Sequence, residues 1–273
     1  MTGRIIRIIS NLYTVSRGKE IYECRARGIF RKEDIIPLVG DIIEFDENDL
    51  IITKINPRKN ELSRPKVANI DKCIIVSSVK NPDFSSFLLD KMLVNIILNN
   101  IEPVVVFSKY DLLNDDEKSS IDAILDYYNK IGIKTLINDD ISSIKEYISG
   151  CTIALTGQTG AGKSTLINKM DSSLNLKTDD ISYALNRGKH TTRHVELFNV
   201  SDFYIMDTPG FSALDISVPK ISVRFAFPEF PNDECKFNDC KHLGEKGCRV
   251  KEMVSEGTIL ESRYENYRKM VSE

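Results

Sequence analysis

GQTGAGKST, residues 157–165, decides the fold. It fits the pattern G-x-x-x-x-G-K-S/T. The apolar run CTIALT at 151–156 leads into it, and STLINKM at 164–170 opens a helix behind it. Strand, glycine-rich loop and helix start, in that order, form the context in which this motif cradles phosphate. Gly157 and Gly162 permit a tight loop whose backbone N–H groups turn inward, and Gln158, Thr159, Gly160 and Ala161 complete its crown. Lys163 can reach β- and γ-phosphates, and Ser164, followed by Thr165, can ligate Mg²⁺. A chance glycine turn is the competing reading, and the complete motif in its context weighs against it.

Downstream, FYIMDTPGF at 203–211 is an apolar strand ending in Asp207-Thr208-Pro209-Gly210. Asp207 would hold Mg²⁺ through water, and the Gly210 amide would sense a γ-phosphate. Between the two motifs lies NRGKHTTRHVELF, residues 186–198. A Thr there can close over the γ-phosphate and complete the metal shell, as switch loops do. Thr192 is favoured over Thr191.

Upstream, the apolar run PVVVF ends in Ser108-Lys109-Tyr110-Asp111. Lys109 would stack along a base, and Asp111 would accept from guanine N1 and N2. Adenine offers no such paired donors and would leave the carboxylate unsatisfied. Alone, S-K-x-D is weak; beside a phosphate loop and D-T-P-G it is strong. The order here is base reader, phosphate loop, switch, D-T-P-G. A conventional GTP-binding domain puts the base reader last, so the sequence describes a circularly permuted α/β P-loop GTPase domain. The permutation places the new chain ends beside the second switch, where flanking domains should tie them down.

The surrounding pattern agrees. From IDKCIIVSSV to CTIALTG, apolar strands alternate with helical stretches such as FSSFLLDKMLVNIILNN and DDEKSSIDAILDYYNK. That alternation predicts an open sheet with parallel strands, whose ligands bind at the carboxyl ends. FSKYD and LTGQTG both fall at that edge. Residues 1–64 read instead as an all-β barrel of five short strands: RIIRII, LYTVS, IYECRAR, DIIEF and LIITKI. An OB-type barrel is expected, with an SH3-like barrel as competitor. Basic residues dominate before position 33, which suits a strand face for RNA as well as an ordinary solvated surface. The sequence therefore divides into a barrel (1–64), the GTPase domain (65–215) and a C-terminal domain (216–273), where a Cys-rich loop precedes one helical stretch, EMVSEGTILESRYENYRKMVSE.

That loop, CKFNDCKHLGEKGC, gives Cys235-x4-Cys240-x-His242-x5-Cys248. Three thiolates and an imidazole complete a tetrahedral Zn²⁺ shell with no open position, hence a structural site. A disulfide, chance proximity or an iron–sulfur site are the alternatives. Cys24, Cys73 and Cys151 sit alone in strand-like settings and read as packing residues. The net charge of −3 argues against a globally basic nucleic-acid coat. No apolar run approaches a membrane span and MTGRIIRIISNLY lacks a signal-peptide core, so a cytoplasmic protein with no membrane partner is expected.

Over essentially its whole length the chain resembles the ribosome small-subunit-dependent GTPase A family of circularly permuted bacterial GTPases. The residues that carry the resemblance are the PLVGD turn, the SRP…ANIDK entry, G-Q-T-G-A-G-K-S-T, R-G-K-H-T-T-R, D-T-P-G-F and the C-x4-C-x-H-x5-C module. The resemblance implies GTP hydrolysis stimulated by the small (30S) ribosomal subunit. It also implies GTP-dependent binding and release in late maturation of that subunit, with barrel and zinc domain contacting rRNA. The protein is expected to be a monomer.

Two positions depart from the family pattern. Ser108 stands where Asn is usual, so the base reader is tethered by one hydrogen bond and less rigidly. The family's Ser-Ala loop is not recognisable at Ile137-Asn138-Asp139, and no base contact is assigned there. Phe211 occupies the position of a Ras-type glutamine and cannot orient water. His190 is then the candidate catalytic group that positions the attacking water, with packing or an rRNA contact as its alternative role. Two other function classes remain. An ATPase or small-molecule kinase is opposed by Asp111. An RNA-binding module with a vestigial nucleotide site is opposed by intact Lys163, Ser164 and Asp207.

Overall fold

The computed structural model describes residues 1–27, 30, 36–63, 66–171, 195–200, 202–207, 219–231 and 233–272. Five strands open the chain: β1 (Thr2–Ile9), β2 (Leu12–Arg17), β3 (Glu20–Ala26), β4 (Ile42–Asp46) and β5 (Ile51–Ile55). They pair in the order 1-2-3-5-4 and close through β4 on β1. That closure, with β3 and β5 parallel, is the OB connection and removes the SH3-like alternative. Strand alternation turns Ile5, Val15, Cys24, Ile43, Phe45 and Ile52 inward, and Phe30 closes the core.

A short hairpin, β6 (Glu61–Ser63) and β7 (Lys66–Ala68), bridges to the next unit. It has no sequence signal beyond turn residues. Asn60 fastens it by donating to the Ile70 carbonyl (2.7 Å) and accepting from the Ile70 N–H (3.0 Å).

The alternating region folds as expected. Its strands are β8 (Lys72–Ser78), β9 (Glu102–Ser108), β10 (Lys134–Ile137), β11 (Thr152–Gly157), β12 (Glu196–Val200) and β13 (Phe203–Asp207). Its helices are α1 (Ser86–Leu98), α2 (Asp115–Lys130), α3 (Ile141–Ile148) and α4 (Lys163–Met170). Asn114 and Glu117 form a reciprocal capping box that starts α2. The spatial order is β10-β9-β8-β11-β13-β12, parallel except for β12. Leu89, Leu93 and Ile96 of α1 with Ile121 and Tyr128 of α2 cover one face. Ile144 and Ile148 of α3 with Leu166 and Ile167 of α4 cover the other. Each such aliphatic side chain, fully buried, is worth about 1.5–3 kcal/mol. The chain runs β8, β9, β10 to one side and then returns to β11 on the other side of β8. The crevice outside β8 and β11 is therefore the topological switch point.

The barrel is joined to this sheet. β12 pairs antiparallel with β1 at Glu196↔Arg7, which makes one continuous eleven-stranded sheet. Tyr204 and Ser16 share a hydrogen bond of 3.0 Å, and Arg4 lies 5.5 Å over the Tyr204 ring. The β12 edge that an open sheet would expose is covered by the barrel.

The C-terminal residues form a 3₁₀ turn (220–226), the Cys/His loop, α5 (Arg249–Ser255) and α6 (Glu261–Ser272). The sequence reads 252–273 as one helical stretch, and the structure divides it. Gly257 takes φ +75 and turns the chain so that Ile259 is buried between the two helices. Among the described residues no helix is long and apolar enough to cross a membrane.

Candidate nucleotide site and metal centre

β11 delivers the phosphate loop and α4 receives it. Gly157 takes φ +139, and a Cβ there would lie 2.2 Å from the Val76 carbonyl oxygen, so no larger residue fits against β8. Gly162 takes φ +92 and precedes α4 without a side-chain cap, leaving the first-turn N–H groups for an anion. Ala161 and Ser164 are buried, while Thr159, Gly160 and Thr165 are exposed at the crown and Gln158 is half-buried. Lys163 Nζ donates to the carbonyls of Gly157 (2.8 Å) and Gln158 (2.7 Å). Partial burial holds its pKa below the ordinary lysine value. The loop thus carries its own cation, bound to oxygens that a phosphate can replace.

β9 ends beside this loop. The Ser108 hydroxyl donates to the Ala161 carbonyl at 2.5 Å, so base reader and phosphate loop are tied directly. Lys109 takes a left-handed conformation, φ +62, and its ammonium donates to the Asn81 carbonyl. Tyr110 donates to Asp122 at 2.8 Å, and Asp111 is exposed in the short 3₁₀ turn at 110–112. Sequence reading passed over the loop after β8, which carries Asn81 and Pro82. A Cβ at Gly160 would lie 3.8 Å from Pro82 Cδ, so this loop stands beside both motifs. Its signal was the Asn-Pro pair directly after an apolar strand.

β13 runs antiparallel to β12, with Asp207 opposite Glu196. The Asp207 backbone is therefore placed at the end of the strand next to β11. His190, Thr191, Thr192, Thr208, Pro209, Gly210 and Phe211 lie outside the described residues.

The second cluster is Cys235, Cys240, His242 and Cys248. Their donor atoms all lie within 4.8 Å of one another. His242 presents Nδ1 to the group, 3.5 Å from Cys235 Sγ and 3.6 Å from Cys248 Sγ. Its Nε2 is buried without a hydrogen bond, on a ring whose centre is 5.7 Å from that of Phe230. Burial pushes the Cys240 thiol up to about 12 and holds His242 below its ordinary value. Thiolates so enclosed are stable only around a cation, and a soft sulfur-rich set suits a transition-type ion. The donor set fits a metal site.

Comparison with known proteins agrees along the chain. The RsgA N-terminal domain model matches residues 2–50, and the RsgA GTPase model matches residues 55–217. A Listeria monocytogenes protein named small ribosomal subunit biogenesis GTPase RsgA 1 is 44% identical, over 100% of this chain and 97% of its own. The RsgA of Latilactobacillus sakei is 45% identical over 97% of this chain and 93% of its own. Among solved structures, YjeQ from Thermotoga maritima superposes with a TM-score of 0.86 at 34% identity, covering 99% of this chain and 97% of its own. YloQ, described as a circularly permuted GTPase, gives 0.84 at 33%, covering 99% and 93%. With this strand order, this pair of motifs and these matches, the chain belongs to the RsgA GTPase family.

Proposed function

We propose that this chain is a GTP hydrolase of small ribosomal subunit biogenesis, binding the 30S subunit with GTP and leaving it after hydrolysis. The observation that carries the nucleotide reading is the Ser108–Ala161 hydrogen bond. It ties a base reader to a phosphate loop that follows it in the chain, as the permuted order requires. The full-length likeness to proteins named for small-subunit biogenesis supports the partner.

In this reading Asp111 accepts from the guanine N1 and N2 protons, and the Lys109 stem lies along the base. Residues 157–165 wrap the phosphates. Lys163 exchanges the carbonyls of Gly157 and Gln158 for β- and γ-phosphate oxygens. Ser164, Thr192 and Asp207 would hold Mg²⁺, which would supply positive charge to offset that on the β- and γ-phosphates. Gly210 would sense the γ-phosphate, and His190 would position the attacking water. With Phe211 in the glutamine position, the lone protein should turn over slowly, roughly 10⁻⁴–10⁻² s⁻¹, and the subunit should order the loop at 186–193. Cys235, Cys240, His242 and Cys248 would hold a structural Zn²⁺ that fixes their loop. We place the working divisions at 1–64, 65–215 and 216–273, with rRNA contacts on the first and last. A monomer in the cytoplasm suits that role.

The test is steady-state GTP turnover with and without purified small subunits, with ATP as control. Stimulation confined to GTP is expected, and His190→Ala should abolish it. GTP binding without stimulation would move the trigger to another partner. Equal use of ATP would remove the guanine reading.

A further inference from the structure

Asp111 is exposed, and among the described residues its carboxylate has no hydrogen-bond or ion-pair partner. An acceptor left free for a base has to be aimed by the backbone that carries it. On the side before Asp111, the hold is the single hydroxyl proton of Ser108, committed to the Ala161 carbonyl. The side after Asp111 needs a hold of its own.

The loop after β8 supplies it. The Val79 N–H donates to the Ser108 carbonyl at 3.1 Å, which carries the β8–β9 pairing one residue further. The Ser78 hydroxyl donates to the Lys80 carbonyl at 2.8 Å and fixes the start of the loop. The Lys80 ammonium then crosses to the base reader. It donates to the Leu112 carbonyl at 3.3 Å and to both Glu117 carboxylate oxygens at 3.0 and 2.9 Å. Glu117 is also the residue that closes the capping box of α2. Lys80 therefore joins the turn at 110–112 to a fixed helix start. The next residue, Asn81, takes the Lys109 ammonium on its carbonyl. Lys109 and Leu112 flank Asp111 directly, and two consecutive residues of one loop hold them.

Folding alone gives this arrangement little to do. The Lys80 and Glu117 side chains are 36% and 39% exposed, and an ion pair that open adds little to stability. What it sets is the place of the turn between β9 and α2, and Asp111 is the one side chain of that turn assigned to the base.

We propose that Lys80 is a positioning residue for guanine recognition. It holds the 110–112 turn so that Asp111 meets the N1 and N2 protons of the base, and it does not itself touch the nucleotide. This rests on the guanine-binding reading above and adds a specificity-determining residue to it. The rigidity that Ser108 gives up before Asp111 is restored after it.

The test is calorimetric titration of wild type and Lys80→Met with GDP and with inosine 5′-diphosphate, whose base lacks the 2-amino group. A well-aimed Asp111 gains from that group and a displaced one does not. Lys80→Met should weaken GDP roughly 5-fold, the scale of one hydrogen bond. Inosine diphosphate should weaken by less than about 2-fold on the same scale, so the preference for GDP narrows, at an unchanged thermal midpoint. Equal losses for the two nucleotides, or no loss for GDP, overturn the proposal, while a wild-type preference for GDP keeps the guanine reading intact. A wild type indifferent to the two nucleotides overturns both.

Discussion

The Ser108 hydroxyl reaches the Ala161 carbonyl across 2.5 Å and across 53 residues of chain, with both groups buried. Ser108→Ala removes the donor and leaves that carbonyl unpaired, at a cost of about 1–3 kcal/mol. The crown of the phosphate loop and the base reader then lose their direct tie. GDP affinity should fall on the order of tenfold, measured by calorimetry. Affinity within a factor of two of wild type would mean that the tie does not organise the site.

Arg263 of α6 is 1% exposed and enters the unit built on β8–β11. It donates to Asp90 of α1 at 2.5 Å and to Glu229 at 2.8 and 3.0 Å. Asp90 also accepts from Tyr128 and Asn266, both at 2.7 Å. Arg263→Met would leave two buried carboxylates without their cation, destabilising by about 3–5 kcal/mol. The expected result is a lowered urea midpoint with α6 detached from α1. A midpoint unchanged from wild type would show that the apolar contacts alone hold the C-terminal residues.

Much of this was legible in residue order. Apolar runs marked β8, β9 and β11, the stretch DDEKSSIDAILDYYNK marked α2, and the two motifs fixed the permutation. What escaped depends on contacts distant in sequence. Glu196 pairs with Arg7 from the far end of the chain, so nothing local announced that β12 would extend the barrel's sheet. Arg263 and Asp90 carry no local sequence signal, because their burial exists only once α1, α2 and α6 pack together. Gly257 was visible, but whether it breaks a helix or is tolerated depends on whether Ile259 finds a core.

Glu245 organises the Cys/His loop by accepting backbone N–H bonds from Lys241 (2.8 Å), Leu243 (2.9 Å) and Gly244 (3.0 Å). Burial pushes its carboxyl up, but these donors outweigh it and bring the pKa down to about 2. A folded pKa below the unfolded one stabilises the fold above the unfolded value and loses that contribution as pH falls through the folded value. Glu245→Gln should therefore be less stable than wild type by a constant amount at neutral pH. Solvent screening keeps that amount below about 1 kcal/mol. The gap should close between about pH 4 and 2, read from urea midpoints across that range. A gap that widens on acidification would reverse the sign and refute the assignment.

Metal removal should act on one stretch and spare the rest. Cys235, Cys240 and Cys248 belong to the same apolar cluster as Phe227, Phe230, Val250 and Tyr267, with Val94 of α1 beneath them. Without a cation, the thiols keep their protons and the loop loses its cross-link, leaving it with little core of its own. α6 is also held through Arg263 and Asn266 on Asp90, and that attachment does not use the metal. Chelation should therefore open protease sites between about residues 233 and 255 first, with the sheet region and α6 resistant. Cys235→Ser should reproduce the pattern and lower bound zinc from about one per chain, measured by plasma emission. Simultaneous release of α6 would make the metal the main anchor of the C-terminal residues. An unchanged digest after complete chelation would remove the structural role of the ion altogether.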